Sequence, residues 1–176
     1  MGRPFGIPIV VSPTWFLIAA FITLYFGEQF DHTRLGDRLG AGRYLVAFGF
    51  AVLLYLSVLL HELAHSVVAK RFGLPVRRIV IYFLGGVSEI EREPESPGQE
   101  FAVAVAGPLL SFVLAGIFWG IWEALPSTDD NSPTALLVAI YLVFAVWTAN
   151  LVVGVFNMLP ACRWTAGACC ARPCGR

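Results

Sequence analysis

The chain has 176 residues, 57% of them hydrophobic and 14% charged, with a mean hydropathy of +0.73. A soluble domain of this length rarely carries so much apolar surface, so the class is an integral membrane protein. The 12 basic residues balance the 12 acidic ones, which argues against nucleic-acid binding.

Met1 to Pro13 is punctuated by Gly2, Pro4, Gly6, Pro8 and Pro13, and is expected to lie at the membrane interface or skirt a bundle. It does not read as a cleavable signal peptide: Arg3 is its one basic residue, and the following apolar run is too long for an h-region. Thr14 to about Phe26 reads as a first membrane helix. It reaches the ~20 residues of a span only if Ile7-Pro8-Ile9-Val10-Val11 contributes, with Pro13 kinking or starting it. Glu28 to Arg43 is a polar loop of mixed charge.

Tyr44 to Ala69 is the second span, stopped by Lys70 and Arg71 and ended by Gly73 and Pro75. Val76 to Ile90 reads as two short strands, Arg78 to Leu84 and Val87 to Ile90, joined at Gly85-Gly86. Glu89, Glu91, Glu93 and Glu95 then alternate outward as a solvated face. Gln99 to about Leu125 is the third span, with Ala106-Gly107-Pro108 as a small-residue break that admits a neighbouring backbone. A short polar loop with Asp129 and Asp130 leads to the fourth span, Ala135 to about Leu159. Asn150 and Asn157 share a face of it, and amides at that depth usually face the bundle interior. The fold class is therefore an all-α membrane protein: a polytopic bundle of about four transmembrane helices with a small β-hairpin after the second. Residues 1–160 form the membrane-embedded domain, and residues 161–176 a Cys- and Arg-rich tail.

Basic residues in short loops set orientation. Lys70, Arg71, Arg77, Arg78 and Arg92 share one side with Arg3, against Arg34, Arg38 and Arg43 on the other. The bias favours a cell-membrane protein with its N-terminus and the C-terminal end of the second span in the cytoplasm.

That second span carries His61-Glu62-Leu63-Ala64-His65, the pattern H-E-x-x-H. On a helix, residues i and i+4 project from one face, so the two imidazoles can hold two positions of a tetrahedral Zn²⁺ site. Glu62 can reach a metal-activated water as general base. The bland alternative is a pair of core histidines beside an ion-paired Glu. Nothing nearby on the helix neutralises Glu62, and unpaired charge at membrane depth costs several kcal/mol.

With the helix ends placed, the pattern resembles the site-2 protease (peptidase M50) family of intramembrane zinc metalloproteases, in its compact bacterial form without an inserted PDZ domain. The resemblance covers about Gly2 to Pro160. It rests on His61 to His65, on Phe83-Leu84-Gly85-Gly86-Val87, on Ala106-Gly107-Pro108 and on Asn150 to Pro160. It implies His61 and His65 as zinc ligands, Glu62 as catalytic base and Asn157 as a site-lining amide. It also implies that Gly85, Gly86 and Val87 offer a strand edge to an extended substrate. That last point has independent physics: a helical substrate hides its scissile carbonyl in i→i−4 bonds, and a strand edge can take up the backbone groups freed by unwinding. The implied substrates are membrane-anchored proteins.

The chain departs from the family after Pro160. The family's third ligand is an Asp in an L-D-G-G-R stretch, and Thr165, a poor ligand, stands near its place. Cys162 could bind zinc, but no pattern places it. All four cysteines fall beyond Pro160, where apolar patterning stops. Read one frame over, Trp164 to Cys174 can be encoded as D-G-G-R-V-L-R-A-P-V, and the residues before it as G-L-P-L. One base lost just after the Pro160 codon would explain the tail; resequencing that finds an intact frame there would exclude a sequencing error. Three functions follow: an intramembrane zinc endopeptidase, a truncated and inactive membrane protein lacking the third ligand, or a small metal-handling transporter. The scarcity of charge inside the other spans argues against the last.

Overall fold

The computed structural model describes residues 6–30, 33–82, 85–92 and 94–170, with side chains described at all of these but 34 and 159–170. A short strand, β1 (Ile9–Val11), leads into α1 (Thr14–Phe30), then a small helix α2 (Arg34–Leu39) and a 3₁₀ turn at Gly40–Gly42. The long helix α3 (Arg43–Arg71) follows, then β2 (Val76–Tyr82) and β3 (Gly85–Ile90), and finally α4 (Pro97–Ala124) and α5 (Thr134–Cys170).

Among the described residues, three helices are long and apolar enough to cross a membrane: α3, α4 and the Thr134–Met158 part of α5. Helix α1 is apolar too, but its 17 residues span only ~25 Å. The sequence suggests that Ile7 to Val11 lengthens this helix; instead Ile9, Val10 and Val11 form β1, paired in parallel with Ile79, Val80 and Ile81. Pro8 and Pro13 explain the difference, because a proline inside a helix loses a hydrogen bond and clashes with the preceding turn. Pro8 can still serve the strand through its carbonyl, which accepts from Ile79 N at 3.0 Å.

The hairpin also differs in detail from expectation. Gly85 pairs with Tyr82 and Gly86 with Ile81, so both glycines lie in β3 and do not form the turn. The connecting residues 83 and 84 lie outside the described residues. With β1 the hairpin completes a three-stranded sheet in the order β1-β2-β3. Ile7, Tyr55, Ile79 and Ile81 form a buried cluster joining the sheet to α3, with Trp15 and Ile18 of α1 packed against it. A second cluster, Ala69, Leu74 and Val103, ties the end of α3 to the start of α4.

Ser96 caps α4, accepting from Gln99 N, and Pro97 occupies its first turn. Six residues, 91–96, link β3 to α4, leaving no room for an inserted domain. At the other end of the bundle, the Arg38 guanidinium donates to the carbonyls of Asp130 and Ser132, so the α1–α3 and α4–α5 connections meet there. The sheet thus lies at the end where α3 finishes and α4 begins. The backbone of α5 continues helical through Pro160 to Cys170.

Candidate metal centre

Three elements meet around the H-E-x-x-H segment: α3 carries it, β3 runs along one side and α4 covers the other. Ligand atoms of His61, Glu62 and His65 all lie within 4.8 Å of one another. His61 is 2% exposed, and the neighbouring Ser66 and Ser111 are fully buried.

Each imidazole is fixed through Nδ1. His65 Nδ1 donates to the Val103 carbonyl at 2.6 Å, and His61 Nδ1 lies 2.8 Å from Ser111 Oγ. A carbonyl can only accept, so the neutral His65 ring presents a lone pair at Nε2. Ser111 takes either role; when it accepts, His61 Nε2 is a second lone pair. The two Nε2 atoms stand 3.1 Å apart. In that tautomer the two lone pairs face each other and a cation between them satisfies both; when Ser111 donates instead, His61 Nε2–H donates to His65 Nε2 and the pair closes as a hydrogen bond. Nitrogens bound tetrahedrally to one zinc, each about 2.0–2.1 Å away, would be ~3.3 Å apart. The arrangement fits a zinc ion held through both Nε2 atoms, with the Nδ1 partners supplying the outer hydrogen bonds such ligands usually have.

Gly107 lets α4 approach this pair. A Cβ there would stand 2.1 Å from His65 Nε2 and 2.6 Å from His61 Nε2. The small-residue break read from the sequence therefore lies directly over the imidazoles.

Glu62 lies across β3. Alternate strand residues share a face, and Gly86 and Ser88 both turn toward it. A Cβ on Gly86 would come within 2.4 Å of Glu62 Cγ, so only glycine leaves room. Gly85 is required for a different reason: its φ of 142° is one that residues with a Cβ rarely adopt. Ser88 Oγ lies 2.9 Å from Glu62 Oε2 and 3.1 Å from the Glu62 carbonyl, and Ser66 Oγ donates to Ser88 Oγ at 3.0 Å. Val87, between them, is exposed. On the same sheet Arg78 bonds Glu89 across the strands at 2.8 Å, and this hydrogen bond holds the Glu89 carboxyl below the usual carboxylate range.

The two asparagines separate. Asn150 is buried and donates to Ser57 Oγ at 3.0 Å and to the Val146 carbonyl at 2.9 Å, tying α5 to α3. Asn157 is exposed and donates to Val153 of its own helix. Among the described residues it makes no hydrogen bond to the histidine cluster.

Ser111, Ser88 and the Val103 carbonyl are absent from the sequence-based reading. Ser111 sits four residues beyond Gly107, which places both on one face of α4, but a serine in an apolar helix gives no signal of its partner.

Helices able to span a membrane thus carry a two-histidine, one-carboxylate cluster of the kind that can hold a metal ion. A model of peptidase family M50 matches residues 49–129. A putative zinc metalloprotease from Synechocystis is 37% identical over 160 residues, covering 91% of this chain and 40% of that protein. The putative zinc metalloprotease Rip3 of Mycobacterium tuberculosis is 36% identical over 126 residues, covering 70% of this chain and 30% of that one. Among solved structures, the site-2 protease from Methanocaldococcus jannaschii superposes with a TM-score of 0.62 at 26% identity, over 91% of this chain and 63% of that chain. The chain thus carries a peptidase family M50 domain over residues 49–129, with a site-2 protease among its structural neighbours. It spans 40% and 30% of the lengths of the two curated relatives.

Proposed function

We propose that the chain is the catalytic membrane core of a zinc endopeptidase that cleaves membrane-anchored proteins within or beside their spanning segments. The carrying observation is the convergence of two imidazole Nε2 atoms, 3.1 Å apart, beside a carboxylate on a helix long enough to cross the bilayer. His61 and His65 would hold the zinc. When bound, the ion supplies Lewis acidity that polarises a carbonyl and acidifies water. Glu62 takes the proton of the attacking water and passes it to the leaving amine. The attack breaks the peptide C–N bond; the water oxygen ends in the new carboxyl group and the proton in the new amine.

The substrate must arrive unwound. Among the described residues β3 pairs only with β2, so Gly85, Gly86 and Val87 lie on a strand with one free edge. An extended peptide can add there through main-chain hydrogen bonds. The exposure of Asn157 leaves it able to meet substrate as a lining amide. The basic residues Arg71, Arg77, Arg78 and Arg92 at the sheet end support an orientation with that end in the cytoplasm.

A second reading, a chain that binds zinc without turnover, is favoured by the donor count among the described residues: two imidazoles are one short of the usual three protein ligands. Proteolysis of a single-span substrate in proteoliposomes, with wild type and Glu62→Gln side by side, tests both. Cleavage abolished by the substitution supports the endopeptidase. Cleavage that survives it excludes this mechanism, and wild type that retains zinc without cleaving supports the second reading.

A further inference from the structure

We propose that Ser88 is the positioning residue for Glu62, and that through it the free-edged strand β3 references the base to the substrate. This rests on the metallopeptidase reading above and adds a residue to it. A serine in mid-helix ordinarily bonds back to the carbonyl four residues earlier. For Ser66 that carbonyl is Glu62 O, yet Ser66 donates across to Ser88 Oγ at 3.0 Å, while Ser88 lies 3.1 Å from the same carbonyl. The backbone of α3 at Glu62 and the side chain of Glu62 are therefore addressed by one hydroxyl from another element, which lies 2.9 Å from Glu62 Oε2.

The hydroxyl of Ser88 has a single proton. Ser66, fully buried, supplies a donor to its oxygen, so that proton is directed at Glu62. Gly86, on the same face of β3, packs against Glu62 Cγ and closes the other side of its path. The carboxylate is confined between two positions of one strand.

Strand addition would set a substrate backbone ~4.8 Å from β3. Base and scissile peptide are then both registered to the same strand, and a displacement of the base by about 1 Å can cost ~100-fold in rate.

The test uses the full chain in proteoliposomes with a single-span substrate, and a second readout that needs no turnover: the visible absorption of cobalt(II) loaded in place of zinc. In Ser88→Ala, kcat should fall roughly 10- to 100-fold with KM within about twofold of wild type. Its cobalt spectrum should shift in the same direction as that of Glu62→Gln. Ser88→Thr, which keeps the hydroxyl and suits a strand, should restore both. A Ser88→Ala protein with wild-type kcat, or with a wild-type cobalt spectrum where the chain does not turn over, overturns the proposal. So does a Ser88→Thr protein as impaired as Ser88→Ala. A wild-type chain that neither binds cobalt nor cleaves, or a Glu62→Gln protein that cleaves at full rate, refutes the underlying metallopeptidase reading instead.

Discussion

Gly107 stands so close to His65 that a single added methyl group would lie 2.1 Å from Nε2, the atom that would bind the metal. No rotamer change of a methyl group can relieve this, so Gly107→Ala must push α4 away from α3 or turn the imidazole. Overpacking of this kind typically costs about 1–3 kcal/mol. Zinc affinity, measured by competition with a chromogenic chelator, should fall at least about tenfold. Gly116 and Gly120 of the same helix have nothing within 4 Å of the corresponding position. Alanine at either should leave zinc binding unchanged and favour the helix by up to ~1 kcal/mol.

Gly86→Ala makes the matching prediction on the other side of the site. Its Cβ would overlap Glu62 Cγ at 2.4 Å and leave the imidazoles untouched. Zinc content per chain should stay at the wild-type level, while cleavage of a single-span substrate falls at least about tenfold. Loss of zinc together with activity would mean that the sheet, and not only the base, had been displaced.

Much of this centre is legible in the sequence because it is local. His61, Glu62 and His65 lie within one helical turn and a half, so helix periodicity alone brings them together. The same holds for the small residues at Ala106-Gly107-Pro108. What sequence reasoning misses is long-range pairing. Ile9 to Val11 looks like a helix extension because the run is apolar; its role as a strand depends on Ile79 to Ile81, some 70 positions away. Gly85-Gly86 resembles a turn dipeptide, but the turn is placed by the register of Tyr82 on Gly85. Ser88 and Ser111 carry no periodic signal, and their roles depend on which helix face meets them.

The cross-strand pair Arg78–Glu89 gives a pH dependence of known sign. Glu89 is held below its ordinary value of 4.5, chiefly by the hydrogen bond from Arg78. A carboxyl lowered on folding stabilises the fold above its unfolded pKa and loses that contribution as pH falls through the folded value. The unfolding temperature of wild type should therefore exceed that of Glu89→Gln near about pH 7 and converge with it as acid protonates the carboxyl. The pair is exposed, so the difference should be small and should shrink in high salt. A gap that widens on acidification would contradict this assignment.

Asn150 and Ser57 join α5 to α3 one helical turn before His61. Interhelical hydrogen bonds within membranes average about 0.6 kcal/mol and reach ~1.7 kcal/mol. A double-mutant cycle of Ser57→Ala and Asn150→Ala, read by unfolding in detergent, should give a coupling energy in that range. Asn150→Ala should cost more than Ser57→Ala, because Asn150 also donates to the Val146 carbonyl and is the larger buried group. Equal and additive losses would show that the bond does not form in the folded bundle.

Ser111 provides the sharpest test of the metal centre. It is fully buried on α4, and its Oγ is the partner of His61 Nδ1 at 2.8 Å. Removing the hydroxyl leaves that nitrogen without its partner and frees the ring to rotate or to move its proton to Nε2, the atom needed for the metal. Ser111→Ala should lower zinc affinity by roughly 10- to 100-fold, the usual effect of losing an outer partner of a ligating histidine. Helical content by circular dichroism should not change, because alanine is the stronger helix former. Ser111→Thr retains a hydroxyl at the same position and should recover part of the affinity if the added methyl group packs beside Gly107. Wild-type affinity in Ser111→Ala would mean that His61 is oriented by packing alone, and that its hydrogen bond to α4 contributes nothing to metal binding.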